Sequence, residues 1–332
     1  MTDQLTRREL IERAALGGAA ITVPGLLTAC GGTSKKAAST TANKTLAKTL
    51  RFSNWTYYMD TNNKKHSHPS LQEFEKKFGT HVQYTEDIND NASFFGKIQG
   101  RLSRGQSIDR DIVVLTDNDR YLALMIKKGF AEKLDKSAIP NMKNLLEVQR
   151  HPSFDPNRDH SLPWQSGMTG IAYNDKLTDP ILSLDDMLTH PNLKGKITCL
   201  NSKGDVWACF AWSGDMVQLQ IDHPGLKWIL PKDGGIIWTD NMLIPKGANA
   251  YAASVLMNWY YRPEIAAEVE DYVNYICPVV GADKVLEKTD PAVAKNTLIF
   301  PTQEMLANAR AFDVKAVANL KYKKEFQKLI GA

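Results

Sequence analysis

The run Asp111-Ile112-Val113-Val114-Leu115-Thr116 is apolar almost without a break, and it constrains the fold more than any other segment. A strand that alternates polar and apolar residues can face water on one side, whereas a continuous apolar run must be buried on both faces. Such strands lie inside helix-covered parallel sheets, and the preceding chain fits that setting. Residues 50–55 and 81–84 read as strands. Between them, 70–78 put Leu71, Phe74 and Phe78 on one helical stripe, which Gly79 ends. Residues 91–102 form a second helical pattern through Phe94, Phe95, Ile98 and Leu102. The β-α-β-α-β order predicts an α/β fold with a parallel sheet.

Further β-rich runs at 170–174, 196–200, 206–212, 226–230 and 236–244 are joined by helical patterns at 249–261, 263–275 and 321–330. Pro263 suits the first turn of a helix, where its missing N–H costs nothing. In the last pattern Tyr322, Phe326 and Ile330 recur every four positions, so its lysines read as the solvated face of a docked helix. The length suffices for two domains. A net charge of +4, evenly spread, argues against a nucleic-acid partner. Besides Cys30 there are Cys199, Cys209 and Cys277. An odd set excludes a full disulfide framework; it leaves one pair or simply small buried residues.

The first thirty residues have their own logic. A charged start with Arg7, Arg8 and Arg13 leads into an Ala- and Gly-rich apolar run over 14–27, closed by Leu27-Thr28-Ala29-Cys30. That is the layout of a secretory signal, too short for a permanent span of about 20 apolar residues. Arg7-Arg8 resembles a twin-arginine signal, the alternative being an ordinary positive start. Leu27 to Cys30 resembles a lipobox, the alternative being a chance cysteine after a simple cleavage site. Residues 1–29 are therefore expected to be a cleaved signal peptide. Residues 30–48 are expected to be a lipidated Cys30 with a flexible polar tether. The body would then sit at the outer face of the cytoplasmic membrane, or in the periplasmic space.

Four segments carry a family resemblance: residues 50–58, 111–114, 163–171 and, most specifically, Pro231-Lys232-Asp233-Gly234-Gly235-Ile236-Ile237-Trp238-Thr239-Asp240. The chain resembles the spermidine/putrescine-type solute-binding proteins of ABC transporters. The resemblance implies a two-lobe periplasmic-binding-protein fold with a cleft between lobes. It implies a first lobe from 48–163 plus 239–282 and a second from 164–238 plus 283–332. It also implies a polyamine or other small cationic solute as ligand, an ABC permease as partner, and no cofactor.

A linear polyamine needs aromatic faces, which pack methylenes and attract cations at about 0.5–2 kcal/mol each, and carboxylates for its ammonium groups. Trp55 follows the first strand at its carboxyl end, where open α/β sheets place ligands. Tyr58 shares the cleft only if the strand has turned by then. Trp238 and Asp240, two apart in an extended run, point to one side. The resemblance adds Trp212 and Tyr275 as aromatic positions of the site, and the tip Thr116-Asp117-Asn118-Asp119 as a ligand-contacting loop. The bland alternatives are core aromatics with a satisfied polar tip, and helix capping by Asp117 or Asp119.

Two features depart from the family pattern. Tyr57 stands where a carboxylate is common. Only residues 201–205 separate the runs at 196–200 and 206–212, where the family has a helix with ligand-binding carboxylates and further elements. So short a link suits a tight turn between neighbouring strands. It predicts a truncated second lobe, shortened between 200 and 206, and weakened or absent polyamine affinity. Two other functions compete: a degenerate family member acting as scaffold or sensor, and an extracellular hydrolase. For the latter, neither Gln165-Ser166-Gly167 nor Trp212-Ser213-Gly214 has the Gly-x-Ser-x-Gly pattern, and His66-x-His68 reads as a solvated loop rather than metal ligands. No enzymatic activity is expected.

Overall fold

The computed structural model describes residues 44–198 and 207–313, with positions 319, 321, 322, 324, 325 and 328. The leader, Cys30, most of the tether, Cys199, the link at 201–205 and half of the 321–330 pattern lie outside the described residues.

The chain opens as β1 (Thr49–Trp55), α1 (Pro69–Phe78), β2 (His81–Ile88), α2 (Asn91–Ser103) and β3 (Ile112–Thr116). Pro69 begins α1, and Gly79 ends it in the left-handed region at φ 66°. The Asp90 side chain caps α2 by accepting the Ser93 N–H. The remainder comprises α3 (Tyr121–Lys127), β4 (Ser161–Asn174), α4 (Leu184–Thr189), β5 (Ile197–Thr198), β6 (Ala208–Trp212), α5 (Ser213–Asp222), β7 (Leu226–Ile229) and β8 (Gly235–Leu243). Then come α6 (Ala250–Tyr260), α7 (Pro263–Val273), α8 (Ala282–Thr289) and, near the end, β9 (Ala309–Ala311).

These strands form one sheet in the order β2-β1-β3-β8-β4-β6-β5, with β7 on β4 and β9 on β8. The parallel pairing read from the sequence holds for β2-β1-β3. It fails at β8, which runs antiparallel to both β3 and β4. β4 and β8 pair along nearly the whole of β8, from Ser161 with Leu243 to Thr169 with Ile236. β5 and β6 do lie side by side, but they pair parallel, Ile197 to Ala208 and Thr198 to Cys209, which overturns the tight turn expected between them, because a tight turn joins antiparallel strands.

The core lies on both faces of the sheet. On one, Leu50, Phe52, Ile112 and Val114 pack with α1, α6 and α7 through residues such as Phe74, Leu256 and Ile265. On the other, Val113 and Leu115 pack with Phe94 and Phe95 of α2 and with Leu122 and Met125 of α3. That two-sided burial is why β3 had to be apolar throughout. Cys277 is a buried free thiol whose Sγ donates to the Val279 carbonyl. None of the helices among the described residues is long and apolar enough to cross a membrane.

Candidate ligand-binding cleft

A cleft of ≈ 620 Å³ opens between β1, β3 and β8 on one side and the start of α5 on the other. Asp240, 4% exposed, forms its floor. Tyr58 Oη–H donates to Asp240 Oδ2 at 2.6 Å, and Thr116 Oγ1–H donates to Oδ1 at 2.5 Å. Burial pushes the Asp240 carboxyl up to about 6, and the two hydroxyl donors oppose that rise. Neither donor carries charge, so the carboxylate is oriented without being neutralised.

Three aromatic rings stand over this floor in sequence. Trp238 lies 5.9 Å from Trp212 and 5.7 Å from Tyr275, centroid to centroid, and Tyr275 lies 5.4 Å from Tyr58. The spacing is that of edge-to-face aromatic packing. Two glycines make room for the rings. A Cβ on Gly167 would come within 2.4 Å of the Trp238 ring, and one on Gly214 within 2.4 Å of the Tyr275 ring. Trp55 lines the cleft as well, and its indole N–H finds no hydrogen-bond partner among the described residues.

Of the residues singled out by sequence, Trp55, Tyr58, Thr116, Trp212, Trp238, Asp240 and Tyr275 all line the cleft. The turn required for Tyr58 is supplied by Tyr57, which adopts the left-handed region at φ 59°. Asp117 is the exception. Its carboxylate accepts the Thr239 N–H at 2.8 Å while its own N–H donates back to the Thr239 carbonyl, so it ties β3 to β8 beneath the site. Burial, aided by the nearby Asp240 charge, raises its carboxyl to about 7. Asp119 does lie at the rim, accepting from the Tyr121 N–H and from Asn91 Nδ2, while the cap position of α3 is taken by Arg120, whose side chain makes no capping bond.

Asp215 was missed by the sequence reading. It sits in the first turn of α5, lines the cleft, and accepts a 2.8 Å hydrogen bond from Tyr275 Oη. Its signal was present: an acid three residues beyond the aromatic Trp212, at a helix start that favours negative charge. The serines considered for hydrolysis are held by structural hydrogen bonds. Ser166 Oγ donates to Thr239 Oγ1, and Ser213 Oγ accepts the Met168 N–H. His68 Nδ1 lies 3.0 Å from the Asp60 carbonyl, and no group of three His, Cys, Asp or Glu able to hold a metal occurs among the described residues. The arrangement can grip a cation between rings and carboxylates.

A family model described as "Bacterial extracellular solute-binding protein" matches residues 200–309. The spermidine/putrescine-binding periplasmic protein of Escherichia coli (strain K12) is 27% identical over 335 residues, covering 85% of this chain and 91% of that protein. The putrescine-binding periplasmic protein SpuD of Pseudomonas aeruginosa (strain UCBPP-PA14) is 25% identical over 336 residues, covering 80% and 87%. Among solved structures, the spermidine/putrescine ABC transporter substrate-binding protein PotD of Streptococcus pneumoniae superposes with a TM-score of 0.70 at 22% identity, covering 86% of this chain and 98% of that one. The two-lobe fold and the cleft between the lobes are thus shared with proteins of this kind.

Proposed function

We propose that this chain, which is similar in sequence and fold to the spermidine/putrescine-type bacterial solute-binding proteins, is itself an extracytoplasmic binding protein that delivers a small polyamine-like cation to an ABC permease. The observation that carries this reading is Asp240, a buried carboxylate held by two neutral hydroxyls under an aromatic cage. A buried carboxylate with no cation beside it is costly unless a ligand supplies one. An ammonium group would accept both the charge and the ring faces. Asp215, on the opposite wall, offers a second carboxylate for a second ammonium. It offsets part of the loss foreseen from the shortened link, so the expected affinity is micromolar rather than nil.

Residues 48–163 plus 239–282 form the first lobe in this reading, and 164–238 plus 283–332 the second. Closure of the lobes on the solute is the whole of the chemistry, and no bond is made or broken. Cys30 is the lipid attachment point that keeps the receptor at its permease. Replacing it with alanine should release the protein from the membrane fraction, and mass spectrometry of the native N-terminus should find acyl chains. Isothermal titration of the mature body with putrescine and with spermidine tests the binding itself. Micromolar affinity that is lost in Asp240→Asn supports the reading. Absence of heat and of any ligand-dependent thermal shift at millimolar solute would leave the degenerate scaffold as the better account.

A further inference from the structure

A second, far smaller cavity lies among β4, α6 and α7. Its volume is ≈ 10 Å³, close to that of one water position, and Pro163, Gln165, Tyr260, Tyr261 and Glu270 are among its lining residues. Glu270 is 0% exposed and Gln165 is 2% exposed. Both carboxyl oxygens of Glu270 and the carboxamide oxygen of Gln165 lack a hydrogen-bond partner among the described residues. The Gln165 amide reaches toward Glu270 without meeting hydrogen-bond geometry, so three buried polar atoms around one void stand under-satisfied, a deviation from the rule that buried polar groups are paired.

The charge state follows from the surroundings. Burial raises the Glu270 carboxyl well above its ordinary value, and the facing Gln165 amide opposes that only in part. The other titratable groups in its vicinity are the phenols of Tyr58, Tyr260 and Tyr261 and the thiol of Cys277. Burial raises all four of these as well, so none meets Glu270 with a positive charge. A carboxyl so placed keeps its proton, and a protonated carboxyl is a donor as well as an acceptor.

We propose that this cavity is a one-water site in which a neutral Glu270 is bridged by the bound water to the carboxamide oxygen of Gln165. The bridge joins α7 to β4 where β4 crosses between lobes. There Gln165 pairs in register with Asp240, next to a register shift at Pro163/Gln165, and Ser166 exchanges two backbone hydrogen bonds with Ile276. Glu270 is a positioning residue: it touches no solute, but fixes the strand on which the cleft floor is registered.

The test needs no solute, so its failure and the failure of the binding reading are separable. A high-resolution crystal structure of the mature body should show one ordered water about 3 Å from Glu270 and Gln165. Infrared difference spectra at pH 7 should show a protonated carboxylic acid that disappears in Glu270→Gln. The pH profile supplies a signature that a merely structural role would not move. The folded state keeps a proton that an unfolded glutamate releases above about pH 4.3, so the stability present below that pH is lost as pH rises. Glu270→Gln should therefore match the wild type near pH 4 and unfold about 2–4 °C higher, or more, at pH 8. An empty cavity, an ionised carboxylate at pH 7, or an unchanged pH slope in the variant would each overturn the proposal. Should the variant not fold, the wild-type crystal and infrared spectra still decide.

Discussion

Around β3 the sheet is buried on both sides, with Phe52, Phe74, Ile112 and Val114 on one face and Val113, Leu115, Leu122 and Met125 on the other, all of them fully excluded from water. Around β6 the buried apolar set among the described residues is Ile171, Tyr173, Ile181, Met187, Leu193 and Ala208 on one face and Ala172, Ala211 and Met216 on the other. The same region leaves Leu188 66% and Ile221 75% exposed. The cleft draws on both frames. Asp240, Tyr58 and Thr116 stand on the deep core, whereas Trp212 and Asp215 stand on the shallow one. The first half of the site is thus preorganised by the larger clusters, and the second rests on the smaller clusters described around β6.

The largest expected effect breaks that comparison if it is wrong. Leu115→Ala removes a fully buried side chain from the deep core and should destabilise the whole body by about 2–5 kcal/mol, read as a drop in the denaturant midpoint. Met187→Ala, equally buried but in the shallow core, should mainly speed hydrogen exchange around residues 170–230 and leave the β1-β3 amides protected. Equal global losses from both would show that the two lobes share one cooperative unit.

The deep core was also the legible part of the sequence. Continuous apolar runs, the stripe at Leu71, Phe74 and Phe78, and the stop at Gly79 each report local geometry, so β1 through β3 were found within a few residues. β8 was also found to within one residue, 236–244 against Gly235–Leu243, whereas only the end of the long β4 was, because Pro163 and the polar residues Ser161, Gln165 and Ser166 break its apolar pattern. Those residues are buried there by hydrogen bonding: the Arg158 guanidinium, for example, donates to Ser161 Oγ and Asn241 Oδ1. In the cleft, Trp238 and Asp240 were marked by the family resemblance, and strand periodicity added that both point to one side. Asp215 did not, since its place opposite Tyr275 is set by tertiary contact, and Asp117 was ambiguous because a tip acid can face the ligand or the backbone.

Asp240 gives the next effect, and its two pH dependences run in opposite directions. With the folded carboxyl raised from 3.8 to about 6, stability present below about pH 4 is lost as pH rises through about 6, by about 3 kcal/mol at most. Cation affinity needs the ionised form, so it should climb over the same interval by about tenfold per pH unit below pH 6 and level off above it. Asp240→Asn should abolish the affinity slope, remove the Asp240 share of the stability slope while leaving that of Asp117 and Glu270, be no less stable than the wild type at pH 7, and lose about 100-fold in affinity. Calorimetric titration and thermal melts at pH 5, 6, 7 and 8 check all four. An affinity independent of pH would place the cation elsewhere in the cleft.

The smallest effect sharpens the comparison at the shallow lobe. Tyr275 follows α7 and reaches across to α5, where its ring lies against Gly214 and its hydroxyl donates to Asp215. Gly214→Ala places a methyl where the ring stands, 2.4 Å from its nearest atom, so either the ring or the start of α5 must move. With the smaller clusters beneath α5, the helix start is the element that yields. Asp215 and Trp212 would then withdraw from the cleft while Asp240, Tyr58 and Thr116 stay in place. The expected result is a loss of about tenfold in affinity for a diamine, equivalent to about 1.4 kcal/mol, with the Asp240 pH slope intact. Gly167→Ala is the control on the deep side: it displaces Trp238, which stands on the same strand as Asp240, and should disturb affinity and pH slope together. If the two alanine variants behave alike, the second wall of the cleft is as firmly held as the first.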